Sequence, residues 1–327
     1  MPALATRRRT ATVAAIGALA LMLAGCSTEP LVDPGATTRP TAAIDDCGVA
    51  VTALAQPAER IVAIKSTAAE LVVALGLGDA LVSTAFLDGP LAAADGAELD
   101  APTIEGMPSR EAVLALEPDA VVAGWESAFA PEAVGDREQL QQLGVQTWVS
   151  PAACWSTDVP ALTWDALFDE FGDAGAALGV PEAGATLAQE QRDALAAIEP
   201  AETSATALWY SSGEDAPYVG AGSGAPQLVL EAAGLANVAG DIDETWTTMS
   251  WEALAASDPD VIVLVDAPWH TAASKIDRLR ANAATAQLEA VQQERFVVVP
   301  FPTAEAGVGT VDAVQLVADG ARSMDLE

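Results

Sequence analysis

The chain has 327 residues and is strongly acidic, with 47 Asp and Glu against 14 Lys and Arg and a formal charge of −33. Nucleic acid is excluded as a partner, because a phosphate backbone calls for clustered cations and the lysines here are Lys65 and Lys275 alone. Hydrophobic residues make up 51% of the chain, enough to fill the cores of two lobes of ordinary domain size.

The first predicted element is an export signal. Arg7, Arg8 and Arg9 precede an apolar run from Ala11 to Leu23, too short for a comfortable transmembrane helix and of the right length for a signal-peptide core. The run ends in Leu23-Ala24-Gly25-Cys26, which matches the bacterial lipobox, in which the Cys thiol accepts a diacylglycerol and becomes the new N-terminus. Residues 1–25 are therefore read as a lipoprotein signal peptide and Cys26 as the lipidation site. Losing that leader removes three arginines and no acid, which takes the charge from −33 to −36. Residues 26–46, rich in Pro, Thr, Asp and Gly, read as a flexible tether. No later apolar stretch is long enough to span a bilayer. The protein is expected on the outer face of the cytoplasmic membrane, touching the membrane through its lipid anchor only.

Residues 47–160 alternate strand and helix. Strands are predicted over 60–64, 80–84, 120–123 and 145–149, with helices over 67–75, 109–116 and 137–143. Residues 161–200 are helical, interrupted near Gly179 and Pro181, and their later part is read as a helix joining two lobes. Residues 201–327 repeat the first plan, with strands over 207–210, 261–265 and 296–299 and helices over 226–233, 251–256 and 275–282. The fold class is α/β, with two lobes built on mostly parallel sheets. An internal repeat supports the pairing of lobes: Ser109-Arg-Glu-Ala-Val-Leu-Ala-Leu-Glu-Pro-Asp-Ala-Val121 returns without a gap as Ser250-Trp-Glu-Ala-Leu-Ala-Ala-Ser-Asp-Pro-Asp-Val-Ile262. Each copy has a Ser at a helix N-cap, a Glu in the first turn, and a Pro-Asp step into an apolar strand. With Cys26 lipidated, Cys47 and Cys154 remain, and outside the cytosol a disulfide between them is favoured over two free thiols.

The segments Arg60–Gly78 and Val229–Leu235 and the two Pro-Asp steps resemble the iron-siderophore and cobalamin class of ABC-transporter solute-binding proteins over roughly residues 47–320. That resemblance implies two Rossmann-like lobes joined by one long α-helix, a bulky solute in the cleft between them, and a permease dimer with its ATPase as partner. A monomer with no intrinsic cofactor is expected. A narrower likeness lies in Ile64-Lys-Ser-Thr67, Thr84–Pro90, Ala123–Ser127, Ser150–Cys154, Trp209–Ser212 and Tyr218–Gly222. These look like the branch proposed to carry the deazaflavin coenzyme F-420 without its polyglutamate tail. The resemblance also implies one glutamate per lobe docking on permease arginines, at Glu111 and Glu252.

The residues make sense for such a solute on their own terms. Ligands of open α/β sheets bind beyond the carboxyl ends of strands. There the first lobe places Lys65, Ser66 and Thr67, then Phe86 and Asp88, then Trp125 and Glu126, and finally Trp155. The second lobe places Trp209 and Tyr210 at the end of its first strand, Tyr218 beyond them, and Trp269 and His270 after Val265. Aromatic faces stack on a planar ring, and Lys65 is a candidate counterion for a phosphate or carboxylate. The loop Gly220-Ala-Gly-Ser-Gly224, with Gly222 and Ser223 at its centre, reads either as a turn or as a cradle of N–H groups for the same anion. His270 reads either as a hydrogen-bonded loop residue or as a ligand group. Trp148, Trp164 and Trp251 sit inside regular elements and are assigned to packing.

An enzyme is not expected. The chain lacks a Gly-x-Ser-x-Gly elbow and a Walker loop, and a single His does not make the clusters that zinc chemistry prefers. A zinc- or manganese-binding relative is disfavoured for the same reason. The runner-up solutes are a ferric siderophore, haem or cobalamin, so the cargo is either a deazaflavin or a metal chelate.

Overall fold

Short β-branched runs set the two sheets. The computed structural model describes residues 43–89, 91, 101–150, 153–154 and 160–326; the leader, Cys26, nearly all of the tether and Trp155 lie outside them. The described chain opens with an antiparallel hairpin of β1 (Ile44–Asp46) and β2 (Val49–Val51), turned by Cys47 and Gly48 at positive φ. Then follow β3 (Ile61–Ile64), α1 (Ser66–Ala74), β4 (Leu81–Ala85), β5 (Thr103–Ile104), α2 (Arg110–Leu114), β6 (Ala120–Ala123), α3 (Arg137–Gln142) and β7 (Gln146–Val149). Their sheet is wholly parallel in the order β5-β4-β3-β6-β7. Every residue of β3, β6 and β7 is buried, so these strands are covered on both faces and do not alternate with polar residues. Trp148 is buried in β7 as a core residue.

Two helices lead to the second lobe. α4 (Trp164–Ala177) ends at Gly179, and Pro181 starts α5 (Pro181–Ala197), where its missing N–H costs nothing. The pair packs closely, because a Cβ on Gly175 would come within 2.7 Å of the Gly184 Cα. Trp164, Leu195 and Ile198 pack against the cores of both lobes and form the joint between them.

The second lobe contains β8 (Thr206–Ser212), β9 (Tyr218–Gly220), α6 (Ala225–Ala232), β10 (Ala236–Asn237), β11 (Trp246–Thr248), α7 (Trp251–Ser257) and β12 (Val261–Asp266). It closes with α8 (Ala272–Ala281), α9 (Glu289–Gln292), β13 (Phe296–Pro300), α10 (Phe301–Ala304) and α11 (Thr310–Arg322). Its sheet runs β11-β9-β8-β12-β13 with β10 beside β8; β8, β10, β12 and β13 are parallel, and β9 and β11 add an antiparallel edge. That edge, the opening hairpin and α11 are additions to the elements expected from sequence. Asp46, assigned to the tether, is fully buried in the hairpin, so the folded lobe begins before residue 47. Among the described residues no helix is long and apolar enough to cross a membrane.

The internal repeat has a physical meaning. Ser109 and Ser250 each cap a helix, accepting from the N–H of Ala112 and Ala253. Asp119 then accepts from the N–H groups of Glu59 and Arg60 at the entry of β3, and Asp260 from the N–H of Thr206 at the entry of β8. In both lobes the Pro-Asp step ties the strand that follows it to the first strand of its sheet.

Candidate functional site

The carboxyl ends of the two sheets face a shared cleft of about 580 Å³, within the size range of small-molecule sites. Strand ends and the loops after them supply its walls. Gly124, Trp125 and Ser127 follow β6, Ser150 follows β7, and Cys154 lies beyond it. From the second lobe come Ser211 and Ser212 at the end of β8, Tyr218 of β9, Ser223 and Gly224 before α6, and Thr245 and Trp246 at β11. Trp269 stands in the turn after β12, and Phe301 and Glu305 follow β13. Five aromatic rings and several hydroxyls therefore converge on one space. Tyr218 and Trp246 stack with ring centroids 5.8 Å apart, and Trp269 meets Phe301 edge-on at 5.5 Å.

Trp125, Tyr218, Ser223 and Trp269 stand where a strand-end rule places solute contacts. Lys65 does not. It leaves β3 at φ 79°, and its side chain is 2% exposed. Its ammonium pairs with the Asp88 carboxylate and lies 4.2 Å from the Phe86 ring centroid and 3.7 Å from that of Trp125. Burial pulls the Lys65 pKa down while Asp88 opposes the shift; burial pushes the Asp88 carboxyl up while Lys65 opposes it. Ser66 accepts the Asp88 N–H at 2.9 Å, and Thr67 is buried at the start of α1. Phe86, at φ 48°, meets Trp125 edge-on at 6.1 Å. These five residues form the floor that holds Trp125 in place, and the expectation that Lys65 neutralises a solute is corrected accordingly. Gly124 is needed for this floor, because a Cβ there would come within 2.3 Å of the Thr67 hydroxyl.

Further corrections concern the second lobe. Trp209 and Tyr210 are fully buried core residues, because β8 runs two residues further than expected and its cleft end is Ser211 and Ser212. The Tyr210 hydroxyl donates to the Gly213 carbonyl at 2.8 Å. His270 is turned edge-on to Tyr210 and is not part of the cleft wall; burial lowers its pKa, and Lys275 adds to the shift. Lys275, wholly buried, donates to the carbonyls of Val265 and His270 and so clamps the turn that carries Trp269. Gly222 does not reach the cleft. The N–H groups of Ala221, Gly222 and Ser223 are spent on the carbonyls of Thr245, Ile242 and Glu244, so these three are not offered to an anion. Gly222 serves a close crossing instead: a Cβ on it would come within 2.1 Å of the Gly240 carbonyl oxygen. Trp251 packs on Tyr210 and donates to the Asp215 carbonyl, and Glu126 opens a 3-10 turn beside Trp125. Trp155 is outside the described residues.

Sequence reading missed Trp246, Phe301 and Glu305. The strand-end rule reaches Phe301 and Glu305 when applied to β13, but Trp246 lies on an antiparallel edge where that rule is silent. Among the described residues, Glu305 is the cleft's one carboxyl. It accepts from the Trp125 indole N–H at 3.4 Å, and its pKa is pushed up to about 7, chiefly by burial and against the pull of that N–H and of Lys65.

A covalent staple backs the first wall. Cys47 and Cys154 form a disulfide with Cα atoms 5.3 Å apart, joining the β1–β2 turn to the cleft side of the lobe. Beside it, buried Asp46 pairs with the Arg137 guanidinium and accepts from the Val149 N–H at 2.9 Å. Burial nevertheless raises its pKa to about 6. Glu111 and Glu252 are exposed at corresponding places in the first turns of α2 and α7, after their Ser caps.

Comparison with known proteins agrees with this architecture. A family model described as periplasmic binding protein matches residues 61–303. A ferric-hydroxamate transport protein from Saccharomonospora viridis is 26% identical, with a TM-score of 0.70 over 85% of this chain and 98% of its own. A periplasmic binding protein from Veillonella parvula is 23% identical, with a TM-score of 0.70 over 85% of this chain and 96% of its own. The vitamin B12-binding protein BtuF of Vibrio cholerae, also 23% identical, superposes with a TM-score of 0.58 over 82% and 98%. A search of curated proteins finds no match. With two α/β lobes facing a solute-sized cleft and a family match over most of its length, the chain belongs to the periplasmic binding proteins, which carry solutes outside the cytoplasmic membrane and do not transform them.

Proposed function

We propose that this protein is the solute-binding lipoprotein of an ABC importer, and that it captures a planar, cofactor-sized aromatic solute between its lobes and delivers it to the permease. The observation that carries this reading is the convergence of Trp125, Tyr218, Trp246, Trp269 and Phe301 on one cleft. Stacking on such rings rewards a flat heteroaromatic ring, and the surrounding Ser and Thr hydroxyls offer hydrogen bonds to its polar edge. The deazaflavin ring of coenzyme F-420 without its polyglutamate tail is the named candidate, favoured by the sequence likeness around Trp125 and Tyr218. Ferric siderophores, haem and cobalamin are the competing cargoes of the same fold.

Delivery rests on Glu111 and Glu252. The helix dipole accounts for an acid in each first turn at a few tenths of a kcal/mol, but not for its repetition on two lobes. One exposed carboxylate per lobe gives a dimeric permease a matched grip on both. Glu111→Ala combined with Glu252→Ala is expected to leave folding and solute affinity unchanged and to abolish solute-stimulated ATP hydrolysis by the reconstituted transporter. Full stimulation by the double variant would reduce both residues to helix-terminus chemistry. The lipid anchor at Cys26 would hold the protein beside that permease.

A further inference from the structure

We infer that the first turn of α6 is an oxyanion subsite of the cleft, holding a phosphate or carboxylate carried by the planar solute. This deepens the aromatic-solute reading above and depends on it.

The helix is eight residues long and starts in the cleft wall, which Ser223, Gly224 and Ala225 all line. The N–H groups of a first turn have no intrahelical acceptor and point back along the axis, here toward the cleft. Pro226 has no N–H to offer, that of Ser223 is bonded to the Glu244 carbonyl, and that of Gln227 to the Gly224 carbonyl at 3.1 Å. The N–H groups of Gly224 and Ala225 have no acceptor among the described residues, and no side chain caps the helix. Two adjacent backbone donors at the positive end of a helix dipole hold an anion without any basic side chain.

Ser211 points to the same ligand independently. It is 5% exposed, it lines the cleft, and its hydroxyl has no partner among the described residues. A hydroxyl so enclosed is costly to leave unpaired. The fold brings it close to α6, because Trp209, two residues earlier on β8, shares Gly220 with the start of that helix: a Cβ on Gly220 would lie 2.2 Å from Pro226 and 3.2 Å from the Trp209 ring. Gly224 adds a further hydroxyl. A Cβ there would come within 2.4 Å of the Thr245 methyl, so the glycine lets the helix start approach Thr245, another residue of the cleft wall. Glu305 does not compete for these donors, since it has its own in the Trp125 indole. The rings thus take the plane of the solute and the α6 turn takes its charged end, which fixes one orientation in the cleft.

The test compares three flavins that share one ring, read by quenching of Trp emission. Riboflavin is neutral, flavin mononucleotide carries a phosphate, and carboxymethylflavin carries a carboxylate. At least one of the two anions is expected to bind roughly tenfold more tightly than riboflavin, a difference of about 1.4 kcal/mol, and the tighter of them names the group that the subsite takes. Ala225→Pro removes one donor at the first helical position, where proline is tolerated, and Ser211→Ala removes the hydroxyl. Each variant, checked for parental unfolding in urea, should weaken the preferred anion by roughly fivefold or more and leave riboflavin within about twofold. Anionic flavins that bind no more tightly than riboflavin, or a preference unmoved in both variants, would overturn the subsite while leaving the aromatic cleft intact. Failure of all three flavins to bind would sink the aromatic-solute reading and the subsite with it.

Discussion

Lys65 leaves β3 with left-handed φ, a conformation that costs a non-glycine residue of order 1–3 kcal/mol and persists only where its surroundings fix it. Here the surroundings are Asp88, Phe86 and Trp125, which turn a candidate solute contact into the support of one. Removing one member of a buried ion pair leaves the other charge without a partner. Lys65→Ala is therefore expected to lower unfolding free energy by about 3 kcal/mol, whereas Lys65→Met with Asp88→Leu should come within about 1 kcal/mol of the parent. Urea denaturation of the three proteins measures both, and equal losses in the single and double variants would contradict the pairing. Residue identity alone did not show this arrangement. Lys65 and Trp125 were legible as strand-end residues, but which of them faces the cleft depends on φ at Lys65 and on the close approach allowed by Gly124. Trp209 was misplaced for a simpler reason: it lies three residues before the true end of β8, and an apolar strand carries no mark of where it stops.

At the scale of elements, the disulfide ties the opening hairpin to the wall of the cleft. It closes a separation of 107 residues, for which loss of unfolded-state entropy predicts about 5 kcal/mol of stabilisation. Cys47→Ser with Cys154→Ser, made in a Cys26→Ala background to keep the chain soluble, should lose that much in denaturant unfolding. Thiol titration of the unfolded, unreduced Cys26→Ala protein should find no free thiol; two free thiols would contradict the staple. The alternation of strand and helix was legible because β3, β6 and β12 and the middle of β8 are continuous apolar runs, and most of the helices between them start at a Ser, Thr or Asp cap or at Pro, α1 being the one that follows its strand without a side-chain cap. β9 and β11, three residues each, are too short to show a period, and their pairing is settled by tertiary contact. α11 was legible from the spacing of Val311, Val314 and Val317, and its absence from the predicted elements had no physical cause.

For the whole molecule, acidity has a consequence for stability. Burial raises the Asp46 carboxyl to about 6 and the Glu305 carboxyl to about 7, and holds Glu170 well above its ordinary value. In the unfolded chain such groups titrate near 4. The folded state therefore keeps these protons over a pH range where the unfolded chain has lost them, so their contribution is fully present below about pH 4 and is lost as pH rises through about 7. The net charge of −33 acts in the same direction, since self-repulsion grows as carboxyls ionise. Tm is expected to be roughly 5 °C higher at pH 5.5 than at pH 8, with a smaller difference in Glu305→Gln. A Tm that rises between pH 5.5 and pH 8 would contradict the assignment of these buried acids.

The cleft is where residue, element and lobe meet, and its content is the central claim. Trp125, Trp246 and Trp269 line it, so a stacked planar ring should quench their emission. The most direct measurement is a fluorescence titration of the Cys26→Ala protein with the tail-less deazaflavin coenzyme and its neutral ring, set beside ferric siderophores, haem and cobalamin. Saturable quenching by a deazaflavin with one-to-one stoichiometry, weakened by Trp269→Ala, is the predicted result. Tight one-to-one binding of a siderophore, haem or corrinoid with no response to either deazaflavin would contradict it.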